Sequence, residues 1–242
     1  INQQINNRYR GGWNNRPFSS GWWGGHGGGA YRHAHYHGWR HGHHGAGHWW
    51  RWATAGALTG WIAYARTRPV YYSYGTDGNV YYEDDTVYVD GNAVGSSEEY
   101  YQQAETLATA LPEVSEAEAE KIEWMPLGVF AITEEGVNET NRLLQLTVSK
   151  EGVISGTLFN ETTGSTRPVE GQVDRETQRA AWTFADDKES DVVMETGIYN
   201  LTEDESTLLV HFGPTKTQSW VMVRLDEPKE GEASQPGKDS GG

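Results

Sequence analysis

From Trp124 to Leu225, apolar and polar residues alternate with a period of two. Leu144, Leu146 and Val148 share a phase, as do Ala180, Trp182 and Phe184. Leu208, Val210 and Phe212 repeat the pattern, and so do Val221, Val223 and Leu225. Successive side chains of an extended strand point to opposite faces, so each set lies on one side of a strand. The spacing predicts eight strands, at 127–133, 142–149, 152–159, 166–173, 178–184, 191–199, 207–213 and 217–225. Short polar turns such as Lys150-Glu151-Gly152 and Gly213-Pro214-Thr215-Lys216 join them. Connections of this length permit antiparallel neighbours, whereas parallel pairing needs long crossovers. Eight strands of this size suit closure into a barrel, which removes exposed edges. The expected fold class is mainly β: an antiparallel eight-stranded meander closed as an up-and-down barrel over residues 124–225.

Upstream the period changes. Residues 69–123 read as two hairpins and a helix. Val70-Tyr71-Tyr72 and Val80-Tyr81-Tyr82 flank Thr76-Asp77-Gly78-Asn79, and Val87-Tyr88-Val89 and Val94 flank Asp90-Gly91-Asn92. Asp-Gly between β-rich runs favours tight hairpin turns, because glycine accepts the positive φ they require. In the helix that follows, Tyr101, Ala104, Leu107, Ala108 and Leu111 are at helical spacing, Ser97 is the expected cap and Pro112 the stop. Residues 49–68 hold a short Gly/Ala-rich apolar helix. Gly56 and Gly60 lie four apart on it, between Trp52 and Trp61, and form a small-residue face suited to self-association. Its apolar run is too short to span a bilayer; contact with a membrane surface through 49–68 remains open. Residues 1–48 are a Gly/His/Trp-rich arm and 226–242 a polar tail, both expected to be disordered.

Charge sharpens this division. Residues 1–70 contain eight arginines and neither Asp nor Glu, while the whole chain is −15, so residues 71–242 carry −23. A basic arm on a strongly acidic body suggests an interaction segment attached to a soluble domain. The acidic body would repel a long polyanion, which argues against nucleic acid as partner. There is no cysteine, so disulfides contribute nothing. The first residue, Ile1, is not Met, and the Asn/Gln/Gly-rich start fits an exported chain.

Candidate chemistry is sparse. His33, His35, His37, His41, His43, His44 and His48 cluster in the arm. Alternate residues of an extended chain share a face, and imidazole binds Zn, Cu and Ni. The arm has no carboxylate to orient the rings, so adventitious rather than dedicated metal binding is expected, and no cofactor otherwise. Asp77, Asn79, Asp84, Asp85, Asp90 and Asn92 fall in turns, whose own chemistry explains them. Asn138, Asn160 and Asn200 begin Asn-x-Thr triplets at strand ends, where turn roles compete with glycosylation. The one histidine outside the arm, His211, is out of phase with Leu208, Val210 and Phe212, hence on the outer face of its strand. No nucleophile elbow accompanies it, and enzymatic activity is not expected.

The segments Trp124-Met-Pro-Leu-Gly-Val-Phe, Lys150-Glu-Gly-Val-Ile-Ser-Gly, Glu195-Thr-Gly-Ile-Tyr-Asn-Leu-Thr and Leu209-Val-His-Phe-Gly resemble the bacterial mu-protocadherin-like family of cell-surface proteins. Thr177-Gln-Arg-Ala-Ala-Trp-Thr, Trp52-Ala-Thr-Ala-Gly-Ala-Leu-Thr-Gly-Trp and the Asn/Trp/Gly-rich start share the likeness, which implies location in the cell envelope or outside the cell. A second resemblance is to avidin-like barrels, through Glu151-Gly-Val-Ile-Ser-Gly-Thr, Gly171, Trp182, Gly197 and Trp220. The first strand departs from it, with Gly128-Val129-Phe130-Ala131 where avidins place polar ligand contacts, so this likeness implies architecture alone.

The resulting expectation is an exported structural or adhesive protein that assembles or anchors through its arm and short helix, with another copy or an envelope protein as partner. Removal of residues 1–68 is expected to leave a folded monomer. Two alternatives stand: a small-ligand-binding barrel walled by Trp182, Tyr199 and Trp220, and a metal-binding surface protein using the histidines of the arm.

Overall fold

The computed structural model describes residues 52–62, 68–112, 122–137 and 139–225. The arm and its histidines, Asn138 and the tail lie outside the described residues. Strand β4 (Trp124–Glu134), β5 (Arg142–Ser149), β6 (Val153–Asn160), β7 (Ser165–Val173), β8 (Arg179–Phe184), β9 (Val192–Gly197), β10 (Glu205–Phe212) and β11 (Thr217–Arg224) form the meander. Each pairs antiparallel with the next, and β11 returns to β4, so the barrel is closed. The expected fold class is the observed one. The predicted strand 191–199 ends earlier, because Ile198–Thr202 turns as a short 3-10 segment between β9 and β10.

The interior follows the alternation. Phe130, Ile132, Leu144, Leu146, Trp182, Met194, Leu208, Val210 and Met222 join one buried cluster along the lumen. Trp182 finds space because glycine faces it. Gly171 is its cross-strand partner, and a Cβ there would lie 2.0 Å from the carbonyl oxygen of Ala181. Gly156 is equally confined by the carbonyl of Gln145. Large and small residues thus interdigitate at close packing.

Helix α1 (Ala55–Trp61) closes one end of the barrel. Thr54 caps it by accepting from the amide of Ala57. Leu58 and Ile62 are fully buried in the barrel cluster. The approach to α1 is pinned from both sides: Ala53 donates its amide to the carbonyl of Pro126, and Arg224 donates to the carbonyls of Ala53, Leu127 and Thr202. Gly128, at φ +149, sits in the bulge of β4 where a Cβ would meet Arg224 Nε at 2.9 Å. The truncation boundary predicted at residue 68 therefore moves: deleting α1 would unplug the core.

The module differs from the two expected hairpins. Strand β1 (Val80–Glu83) pairs with β2 (Thr86–Val89) through Asp84-Asp85, and β2 pairs with β3 (Asn92–Ser96) through Asp90-Gly91. The second turn is as predicted, with φ of +50 at Asp90 and +77 at Gly91. The first is not. Val70-Tyr71-Tyr72 docks on the barrel instead, where Val70 donates to Gln178 Oε1 and Tyr72 exchanges hydrogen bonds with the amide of Asn200. Helix α2 (Ser97–Thr109) is capped by Ser96, one residue before the expected Ser97, in a reciprocal box with Glu99. Ser97 itself is the first helical residue.

Candidate functional site

The α2–hairpin module covers the outer face of β8, β9 and β10. Tyr101, Ala104 and Ala108 of α2 pack on Ala181 and Val193, while Tyr72, Tyr74, Val80, Val87 and Tyr100 pack around Leu209. Outward positions of a barrel strand normally face water, and the polar ones among them are trapped here. Arg179 on β8, Glu195 on β9 and His211 on β10 meet in this seam, Glu195 and His211 with no solvent exposure.

The geometry is directional. Glu195 Oε2 accepts from Arg179 Nε at 3.2 Å and Nη2 at 2.5 Å. Glu195 Oε1 lies 3.5 Å from His211 Nε2. The other ring nitrogen, Nδ1, is 2.8 Å from Thr217 Oγ1 on β11, its cross-strand neighbour. Arg179 also donates to Gln103 of α2 and lies 4.1 Å from the ring centre of Tyr100. The Tyr101 ring meets that of His211 edge-on, with centroids 5.7 Å apart. The hydroxyls of Tyr74 and Tyr100 are buried around the same group with no hydrogen-bond partner, and that of Tyr82 is buried beside Thr217.

Burial pushes the carboxyl of Glu195 upward, but Arg179 and then His211 overcome it and hold it below the ordinary carboxylate value. Arg179 shows the converse: burial opposes its charge, and Glu195 holds the guanidinium above its ordinary value. The tyrosines respond to the same field. Burial, reinforced by Glu195, raises Tyr74, Tyr82 and Tyr100 above the usual phenol value. An ionised carboxylate, a guanidinium and neutral phenols therefore share one dry seam.

The sequence-predicted sites separate in space. Trp182 lies at mid-lumen and is wholly buried. Tyr199 sits in the 3-10 segment, its hydroxyl 2.7 Å from Thr59 Oγ1 of α1. Trp220 bonds Gln218, and the guanidinium of Arg142 lies 5.0 Å above its ring. All three belong to the cluster that fills the barrel. Trp52 and Trp61 do not frame a common face with the glycines. Trp52 packs outside the barrel against Val129, Val223 and Leu225 and donates to the carbonyl of Leu225, whereas Trp61 donates to that of Val148. Gly56 and Gly60 are exposed. Asn200 is buried and fully engaged with Tyr72, and Asn160 accepts from the amides of Thr162 and Thr163. Asn79 donates to Asp90, so side chains of two of the Asp- and Asn-bearing turns bond each other. Among the described residues no group of three or more His, Asp or Glu is disposed to hold a metal ion.

Residue reasoning placed His211 on the outer face but missed the seam. Arg179, Glu195, His211 and Thr217 occupy four strands, and the covering tyrosines lie about a hundred residues upstream. The readable signal was the outward phase shared by a cation, a carboxylate and an imidazole on three consecutive strands. Comparison with protein-family models, with curated proteins and with solved structures gives no match.

Proposed function

We propose that the chain is an exported structural or adhesive protein whose barrel is a rigid body and whose basic amino-terminal arm is the means of attachment to other copies or to an envelope component. The observation that carries this reading is the filled lumen: Phe130, Leu144, Trp182, Met194 and Leu208 occupy the space a ligand-binding barrel leaves open. Two further features support it. Trp52 and Ala53, the first described residues after the arm, are tied to the barrel through Leu225, Pro126 and Arg224. Residues 1–70 carry +8 against −23 for the rest, which favours arm-to-body contact between copies.

Light scattering on the full chain and on a chain lacking residues 1–48, each at low and high salt, tests this. The full chain should associate at low salt and dissociate as salt screens the attraction. The shortened chain, which keeps α1, should stay monomeric throughout. Identical behaviour of both proteins at every salt concentration overturns the proposal.

A further inference from the structure

We propose that Thr217 is a base-activated nucleophile that accepts an acyl group from a small ester. The inference is separate from the assembly role and rests on the seam alone. An imidazole activates a hydroxyl when one ring nitrogen accepts the hydroxyl proton and the other is held by a carboxylate. His211 Nδ1 stands 2.8 Å from Thr217 Oγ1, and its Nε2 lies at ion-pair distance, 3.5 Å, from Glu195 Oε1, where closing the gap by a few tenths of an ångström would complete the hydrogen bond that neither atom makes at rest. Arg179 fixes the second oxygen of that carboxylate, so the carboxylate is oriented in turn.

Exposure divides these groups usefully. His211 and Glu195 are fully buried, whereas Thr217 is partly exposed, beside the exposed turn Pro214-Thr215-Lys216. The base is shielded, and Thr217 stands at the edge of the seam. Tyr82, on β1, brings a buried hydroxyl to the side of Thr217. Such a donor suits the negative charge that develops on an attacked carbonyl.

In the step, Thr217 Oγ attacks the ester carbonyl carbon as its proton passes to His211 Nδ1. The tetrahedral intermediate collapses, the bond from carbon to the leaving oxygen breaks, and that oxygen takes the proton from Nδ1. The products are acyl-Thr217 and the free alcohol or phenol. No oxidant, metal or cofactor takes part in the balance. Glu195 is a positioning residue that acts through the ring.

The probe is p-nitrophenyl acetate on the full chain, with release of nitrophenol followed by absorbance and the acetyl group located by peptide mass spectrometry. Acetyl on residue 217 is expected, either as a stable adduct or as an intermediate in continued release; both require attack by Thr217. Thr217→Ala should lower the rate about a hundredfold, the scale of a positioned base, while Thr217→Ser retains it and Thr215→Ala, on the exposed turn, matches the parent. Glu195→Gln should lower the maximal rate with the half-saturating ester concentration unchanged, a split that simple loosening of the seam does not produce. Acetyl found only on Lys216 or elsewhere, or equal rates for Thr217→Ala and the parent, overturns the proposal and leaves an ordinary cross-strand hydrogen bond.

Discussion

Glu195 and Arg179 form an ion pair whose carboxylate has no solvent exposure and whose guanidinium is almost as deeply covered. They lie on adjacent strands of the barrel but are buried by a helix from a different part of the chain. Such a pair adds little net stability as a pair, because desolvation offsets attraction, yet breaking it is costly. Arg179→Met should destabilise the fold by about 3–5 kcal/mol, since it strands the Glu195 carboxylate in the seam. Denaturant unfolding of the variant against the parent measures it. A loss under 1 kcal/mol would mean that water reaches the seam when the guanidinium goes.

The same seam predicts a stability optimum bounded on both sides. Glu195 has a folded-state value below its ordinary one, so its contribution is complete above the unfolded carboxylate range and fades as pH falls through it. Tyr74, Tyr82 and Tyr100 have folded-state values above the ordinary 10.0, so their contribution is complete below that value and fades as pH rises past it. Melting temperature should therefore drop below pH about 4 and above pH about 10. Tyr74→Phe and Tyr100→Phe should flatten the alkaline limb while leaving the acid limb in place.

How far this was legible from residues depends on the range of the interactions. The barrel could be read because each strand announces its inward face by local alternation, and each turn is short. Element type failed where two local signals competed. Thr76-Asp77-Gly78-Asn79 has hairpin composition, but Gln178 and Asn200 offer side-chain partners to Val70 and Tyr72, and the barrel takes that segment from β1. The seam was hidden for a stronger reason. Its chemistry depends on which outward positions are covered, and coverage is decided by the docking of α2, which no periodicity within β8, β9 or β10 encodes.

The plug makes α1 part of the core rather than an appendage. Leu58 is fully buried in the barrel cluster, so Leu58→Ala should cost about 2–5 kcal/mol, the range for removing a core leucine. A chain lacking residues 1–62 should lose cooperative unfolding, whereas one lacking 1–48 keeps it. Near-ultraviolet circular dichroism during thermal melts distinguishes them; equal melts for the two truncations would show that the barrel closes without its helix.

Glycines of the barrel and of α1 should respond in opposite ways to the same methyl group. At Gly171 a Cβ would fall 2.0 Å from the carbonyl of Ala181, so a strand must shift, and Gly171→Ala should cost about 3 kcal/mol or more. At Gly56 a Cβ meets nothing within 4 Å, and glycine is a poor helix former, so Gly56→Ala should stabilise the protein by up to about 1 kcal/mol. That exposed position also separates folding from assembly. If Gly56 and Gly60 admit a second copy closely, Gly56→Leu should leave the melting temperature unchanged or raised while shifting light scattering toward monomer. If association runs through arm charge alone, Gly56→Leu should scatter like the parent at every salt concentration, and the helix face would drop out of the assembly mechanism.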